Sequence, residues 1–333
     1  MPGKKISIVI PMYNAGVFIE KCLNSLINQD YKNFEVFIID DGSKDNSPQI
    51  SKSFSNQYDS INYVSIKNGG ANNARNVGLS LCKGDYVIFM DQDDYFISNS
   101  TFNELIKVFT ELPNTDFIIY KYVEYFQKSN TTKKRPDFGK SAIEPGNSTY
   151  DKLHSFVANG NVPISPWDKI FRREFLLNKN ILFPVGKIAG DINWFMELIE
   201  KSDNIVVKNS EYYAYRRQVS TSLTNSFDIN SFINFIEIIE SESDRLKNQL
   251  DKKYTALFLS FLAYEYSILL AVSSNLNEIE FKKYRARINN LKWLFQYDTN
   301  QKVHKVKLLI KLIGVRKASK FLRYYIKKRV NRK

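Results

Sequence analysis

A chain of 333 residues, 43% of them hydrophobic, can bury a sizeable core and exceeds the usual single-domain size, so one larger domain with an appended smaller one is expected. Its formal charge of +13 sits at one end: thirteen Lys/Arg and no Asp/Glu follow Gln301, leaving 48 − 13 = 35 basic against 35 acidic residues before it, and this neutral body argues against a nucleic-acid-binding protein. Cys22 and Cys82 lack CxxC or His-paired spacing, and His154 and His304 lie far apart, so zinc, redox and imidazole chemistry are not indicated.

Lys4 and Lys5 precede only a short apolar run that Pro11 interrupts, so no secretory signal is expected and the protein is predicted to stay in the cytoplasm. Residues 7–11 and 34–40 are continuous β-branched or aromatic runs, typical of parallel strands covered on both faces. Between them Phe18, Ile19, Cys22, Leu23, Leu26 and Ile27 recur at helical spacing and make one buried stripe. The pattern repeats with a helix over 47–58, a strand near 63–66, a helix over 71–82 and a strand over 86–90. This alternation predicts an α/β, doubly wound sheet whose ligands bind beyond the carboxyl ends of the strands.

The polar residues gather at those ends: Pro11-Met12-Tyr13-Asn14, Asp40-Asp41-Gly42-Ser43, Asn68-Gly69-Gly70 and Asp91-Gln92-Asp93-Asp94. Three carboxylates closing an apolar strand repel one another, so they call for solvent or for a divalent cation such as Mg²⁺ or Mn²⁺. After a helix over 99–111 comes a strand-rich stretch, 116–126. A polar excursion over 128–146 comes next, expected as a loop or hairpin with Lys133-Lys134-Arg135 in solvent. Residues 163–191 hold Pro166-Trp167-Asp168-Lys169, Arg172-Arg173 and Gly190-Asp191, and 211–222 reads EYYAYRRQVSTS.

From Ser226 onward helical patterns dominate, predicting a C-terminal α-helical appendage. Residues 256–272 are apolar apart from Glu265 and serines. A span of ~17 residues with a central Glu is short and costly for a membrane, so a buried bundle helix is expected. The tail interleaves Leu308, Leu309, Leu312, Ile313, Phe321, Leu322 and Tyr325 with Lys and Arg at roughly helical spacing. It suits an anionic membrane interface; a helix docked on the body and an RNA-binding tail are the other readings.

Five motifs in order, SIVIPMYN, the helix ending Leu26-Ile27-Asn28-Gln29, FIIDDGSKDNS, NGGANNARNVGL and KGDYVIFMDQDD, resemble the nucleotide-sugar-binding half of family 2 glycosyltransferases. PWDKIFRREFL, FPVGKIAGDINWF and YYAYRRQVSTS look like the acceptor-side half, so the resemblance covers about residues 5–224. It implies a GT-A fold over 1–224, with a nucleotide-sugar-binding half over 1–95 and an acceptor-side half over 96–224. A helical extension over 225–301 and a basic amphipathic tail over 302–333 would complete the chain. The implied activity is inverting, metal-dependent transfer from a nucleoside-diphosphate sugar, most often a UDP-sugar, to a glycan or lipid-linked glycan acceptor in surface polysaccharide biosynthesis. The implied place is the cytoplasmic face of the plasma membrane. The alternative is a catalytically weak homologue that assists another transferase.

The resemblance also implies a role for individual residues. Asp93 is the first metal ligand and Asp91 the second, directly or through the donor ribose, with Gln92 between them on the donor side. Asp94 either orients the acceptor or caps the next helix. Pro11, Tyr13 and Asn14 lie beside the base, and Asp41, with Asp40 as neighbour, accepts from the uracil edge unless Asp-Gly-Ser is only a turn. Asn68 and Gly69 belong to the donor loop, where Gly69 and Gly70 permit close backbone approach, and Arg75 pairs with phosphate or braces a carboxylate. Asp191 matches the general base, although Gly190 replaces the acidic residue that usually precedes it; otherwise it is a helix cap. Arg216 and Arg217 clamp a diphosphate or lie in solvent, and Trp167 is an acceptor platform or a buried aromatic.

Overall fold

The computed structural model describes residues 3–187, 190–217, 229–249 and 252–331. Residues 218–222 of the last acceptor-side motif, and the expected boundary at 224–225, fall outside that range.

The chain forms two compact units: Met1–Phe138, Pro163–Lys187 and Glu197–Ser220 in the first, Gly139–Val162, Ile188–Met196 and Thr221–Lys333 in the second. In chain order the elements are β1 (Ile6–Met12), α1 (Ile19–Ile27), β2 (Phe34–Asp40), α2 (Ser47–Gln57), β3 (Ile61–Ser65), α3 (Ala71–Leu81), β4 (Tyr86–Phe89) and β5 (Tyr95–Phe96). Next come α4 (Thr101–Glu111), β6 (Phe117–Phe126), β7 (Thr131–Lys134), α5 (Lys140–Ile143), α6 (Thr149–Asn159), β8 (Lys169–Arg172), α7 (Arg173–Asn178), α8 (Asp191–Lys201) and β9 (Ile205–Arg217). The helices α9 (Ile229–Asn248), α10 (Thr255–Ser273), α11 (Glu278–Asn290) and α12 (Gln301–Asn331) complete the chain.

The first unit is built on one nine-stranded sheet in the order β3-β2-β1-β4-β8-β6-β9-β5, with β7 paired to β6. β1 pairs in parallel with both β2 and β4, and β2 with β3, as the βα alternation predicts. All seven residues of β1 and of β2 are buried, the physical reason their sequences run apolar without alternation. In α1, Ile19, Cys22, Leu23 and Leu26 form the buried stripe, each such apolar side chain contributing about 1.5–3 kcal/mol. Both cysteines are buried free thiols, in keeping with a packing role.

Beyond β4 the sheet turns antiparallel at β8 and β6, and β9 then lies parallel to β6. The β6–β9 register is irregular, Tyr120 facing Lys208, Lys121 facing Glu211 and Tyr122 facing Tyr213. β9 thereby takes up three additional residues, Asn209, Ser210 and Tyr212, a bulge that reverses which of its side chains face the core. The expected excursion is a hairpin through β7; in its basic triplet Lys134 is exposed, as expected, while pairing with Glu211 at 3.0 Å, and half-buried Arg135 approaches Glu124 at 3.8 Å.

The second unit is helical. It gathers residues 139–162 and 188–196, expected in the acceptor-side half, because α6 packs on α10 and Phe195 packs edge-on against Phe261. α10 is long and apolar enough to cross a membrane, but most of it is buried within its unit, as expected for a bundle helix. Burial alone pushes the Glu265 carboxyl on α10 up to about 8. α12 docks on α10 through buried Val303, Val306 and Ala318, while Arg316 donates to the Ser273 and Leu276 carbonyls. It bends at Gly314, whose φ of 73° is a left-handed conformation that favours glycine.

Candidate active site

The carboxyl ends of β1 to β4 carry four loops joined by side-chain hydrogen bonds. The Asn14 amide donates to Ser43 Oγ at 3.0 Å and the Lys44 amide donates back to Asn14 Oδ1 at 2.8 Å. The Ala15 and Gly16 amides donate to Ser47 and Asp45 at 2.9 and 2.8 Å. Tyr13 and Gln92 exchange a reciprocal pair, the Tyr13 amide to Gln92 Oε1 at 2.6 Å and Gln92 Nε2 to the Tyr13 carbonyl at 3.1 Å. Pro11 is buried in β1, whereas Tyr13 is exposed at the loop tip.

Asp40 and Asp41 are both buried and engaged. Asp40 accepts from the Ser43 amide at 2.9 Å and from the Tyr63 phenol at 2.5 Å, while burial first and then Asp40 push that phenol up to about 12. Asp41 accepts from the Gly69 and Gly70 amides at 2.7 and 2.8 Å, and Asn68 Nδ2 donates to the Asp41 carbonyl at 2.8 Å. Gly70 holds a φ of 86° in that turn. The carboxylate expected to meet a base edge thus also staples the third loop.

At the end of β4 the three aspartates separate by environment. Asp91 is ion-paired with Arg75 at 2.8 Å, and Arg75 also donates to Asn72 at 2.9 Å and stacks 5.4 Å from the Phe183 ring. The Asp91 amide donates to the Tyr213 hydroxyl at 3.1 Å. Asp93 is half-buried, and its carboxyl is pushed up to about 6, first by burial and then by the charge of Asp91. Among the described residues no basic side chain forms an ion pair with it; Arg216 donates instead to its backbone carbonyl at 2.6 Å. Asp94 is 1% exposed and accepts from the Arg216 amide at 2.7 Å, and burial followed by Asp93 and Asp91 drives its carboxyl well up. It does not cap α4, whose N-cap position is Ser100.

Arg216 and Arg217 are adjacent on β9 and point to different partners. Arg216 is buried beneath the acidic loop against Phe18, Tyr95 and Tyr125, at 5.1 to 5.8 Å from their rings. Arg217 pairs with Glu124 and lies 4.8 Å over Tyr215. Trp167 is buried, stacked on Tyr213 and Tyr215 at 5.0 Å each and met edge-on by Tyr122 at 4.7 Å. Asp191 opens α8 in the second unit, half-buried at the positive end of the helix dipole.

Sequence reasoning missed Tyr213, which touches the acidic loop, and Lys21, whose ammonium lies 3.7 Å from the Tyr95 ring and is lowered by burial and then by Arg216. It also missed Asn72 and Asn76, which clamp the 183–184 backbone to α3 with bonds of 2.8 to 2.9 Å. Tyr213 and both asparagines stand inside the family-like motifs; Lys21 carries no signal apart from its place beside the α1 stripe. Cys22 lies near the acidic loop with its thiol pushed well up, by burial first and then by Asp94, Asp93 and Asp91, which keeps it unreactive.

The donor set fits a divalent cation: hard carboxylate oxygens on Asp93 and Asp91 at a strand end, Asp93 forming no ion pair among the described residues. Among the described residues no group of three or more His, Cys, Asp or Glu converges, so phosphate oxygens or water would supply the remaining ligands.

The family model Glycosyl transferase family 2 matches residues 7–190. Cholesterol galactosyltransferase of Borreliella burgdorferi is 26% identical over 296 residues, 85% of this chain and 81% of that protein. Glycosyltransferase GlyA of Streptococcus pneumoniae is 30% identical over 223 residues, which are 64% of this chain and 30% of GlyA. Among solved structures, S. aureus TarS 1-349 in complex with UDP-GlcNAc matches 97% of this chain and 92% of its own, with a TM-score of 0.71 and 20% identity. The mannosyltransferase PcManGT of Pyrobaculum calidifontis, in complex with GDP-Man and Mn²⁺, matches 98% of this chain and 88% of its own, with a TM-score of 0.56 and 14% identity. The strand order, the four-loop rim and a family match over more than half of the residues agree: the chain belongs to glycosyl transferase family 2 and is a glycosyltransferase of GT-A fold.

Proposed function

We propose that the chain is an inverting, metal-dependent glycosyltransferase that moves a sugar from a nucleoside-diphosphate sugar, foremost a UDP-sugar, to a hydroxyl of a glycan or lipid-linked glycan in surface polysaccharide biosynthesis. The observation that carries this reading is Asp93, a half-buried carboxylate beside Asp91 that forms no ion pair with a basic side chain among the described residues. Asp93 and Asp91 would hold Mg²⁺ or Mn²⁺, which when bound neutralises charge gathering on the leaving diphosphate. Arg75 orients Asp91, and Gln92 ties the acidic loop to Tyr13. Pro11, Tyr13, Asn14, Asp40, Asp41, Asn68 and Gly69 serve the base and ribose side. Arg216 holds Asp93 and Asp94 in place through the backbone, and Arg217, itself paired with Glu124, would clamp an acceptor-side or diphosphate oxygen.

Asp191 acts as the general base and takes the proton of the acceptor hydroxyl. The acceptor oxygen bonds to the anomeric carbon from the face opposite the diphosphate. The carbon–oxygen bond to the diphosphate breaks, and its electron pair leaves with the nucleotide. The UDP-GlcNAc bound to TarS and the GDP-Man with Mn²⁺ bound to PcManGT support donor class and cofactor. A relative named for cholesterol supports a lipid acceptor; the basic C-terminal segment is the feature that favours work at the cytoplasmic face of the plasma membrane.

The test is nucleotide release from a panel of UDP- and GDP-sugars, with Mg²⁺ or Mn²⁺ and with chelator. Release should be metal-dependent, and Asp191→Asn should lower transfer about 100- to 10,000-fold. Chelator-insensitive transfer, or an Asp191→Asn variant of full activity, would sink the assignment. A wild-type chain inert toward every donor would favour the assembly-partner alternative.

A further inference from the structure

We infer that the outer face of α12 is a docking surface for an anionic lipid bilayer. The inference rests on the membrane-surface part of the proposed function and not on the chemistry at Asp93. One side of α12 is committed to its own unit: Val303, Val306 and Ala318 are buried, and Arg316 is held by two carbonyls and lies 4.1 Å over the Phe281 ring. The helix is therefore fastened down, and the face it turns outward is fixed.

That outward side is apolar as well as basic. Before the bend at Gly314, Leu308 and Leu312 stand one turn apart and are 47% and 82% exposed. After it, Phe321, Tyr324 and Tyr325 are 51%, 62% and 54% exposed at the i, i+3, i+4 spacing of a single stripe. Lys305, Lys311, Lys317 and Lys320 are exposed among them, and no Asp or Glu occurs from residue 302 to the end.

Charge and shape together select the occupant. A second copy of the chain meeting this face with its own α12 would set like charge against like charge, with no carboxylate on the segment to relieve it. A nucleic acid would use the lysines but would leave Leu308 and Leu312 without a role. An anionic bilayer uses both: leucine and phenylalanine enter the acyl boundary, tyrosines sit at headgroup depth, and lysines meet lipid phosphate.

Removing the whole tail would strip buried Val303, Val306 and Ala318 from the unit, so the test uses exposed side chains only. The full chain is floated with vesicles of phosphatidylcholine alone and of phosphatidylcholine with phosphatidylglycerol, at physiological salt. Wild type should float only with the anionic vesicles. Leu308→Ser/Leu312→Ser/Phe321→Ser/Tyr325→Ser, and separately Lys311→Glu/Lys317→Glu/Lys320→Glu, should each lower partitioning at least ~100-fold while leaving the melting curve and nucleotide release in solution unchanged. An apolar variant that floats like wild type overturns the inference, as does equal flotation with neutral vesicles. Vesicle-free self-association abolished by the apolar changes would assign the face to a second copy instead. RNA binding retained by the apolar variant, with no flotation, would assign it to nucleic acid. Donor turnover without flotation removes this inference alone, and flotation without turnover removes the enzymatic reading alone.

Discussion

Replacing Asp41 with asparagine separates two roles that its position allows. Both carboxylate oxygens accept backbone amides, from Gly69 at 2.7 Å and Gly70 at 2.8 Å, and the group is buried. Hydrogen bonds to a charged acceptor are worth roughly 1.5–3 kcal/mol each. An asparagine keeps one acceptor oxygen and sets its NH₂ against the other amide, so the turn loses about 2–4 kcal/mol of local stability. Because 1.4 kcal/mol is a factor of ten, amide hydrogen exchange at residues 69 and 70 should accelerate roughly 30- to 1,000-fold, while exchange in β1 and β2 stays unchanged. UDP titration of the same variant reports the nucleotide contact independently. Unchanged exchange at 69 and 70 would refute the stapling role, and weaker UDP binding alongside it would leave Asp41 as a base contact only.

Two further predictions address the buried groups. With its carboxyl raised from 4.5 to about 8 in the folded chain, Glu265 keeps a proton that the unfolded chain releases, so its contribution is complete below the unfolded value and is lost as pH climbs through the folded one. That interval corresponds to on the order of 3–5 kcal/mol, so Glu265→Gln should flatten the fall in melting temperature from about pH 5 to about pH 9; parallel profiles for both proteins would contradict the effect of burial. Trp167→Ala should cost about 3–5 kcal/mol in chemical denaturation and Trp167→Phe distinctly less, because the ring fills the space between Tyr213 and Tyr215. An alanine variant of wild-type stability with a raised acceptor KM would favour the platform reading over the packing one.

The parallel half of the sheet was legible because each strand is a closed apolar run ending in a polar loop, and both signals are local. Strand order beyond β4 was not, since β8, β6 and β9 pair across long stretches of chain and β5 is only two residues long. The same limit explains the site. Asp93 and Asp94 are neighbours in sequence, and only the seating of β9 decides that Asp94 turns inward onto the Arg216 amide while Asp93 stays half-exposed. Trp167 could be read as platform or core because its sandwich is supplied by two tyrosines some fifty residues downstream. Arg75 was recognisable as a cation near the acidic loop, but its commitment to Asp91 depends on α3 lying over that strand end.

The bulge in β9 makes that whole strand sensitive to changes of length. Its additional residues are engaged, Asn209 accepting the Phe138 amide at 3.0 Å and Tyr212 accepting the Ile97 amide at 2.9 Å while its hydroxyl donates to Glu104 at 2.7 Å, so losing one of them would undo the reversal of faces. From Tyr213 to Arg217 the strand runs in step with β6 and has no slack. Losing a single residue there would bring Arg217 to the position of Arg216 under the acidic loop and part it from Glu124. The spacing from Lys208 to Arg217 is therefore fixed at both ends, by the bulge contacts and by the seat of Arg216.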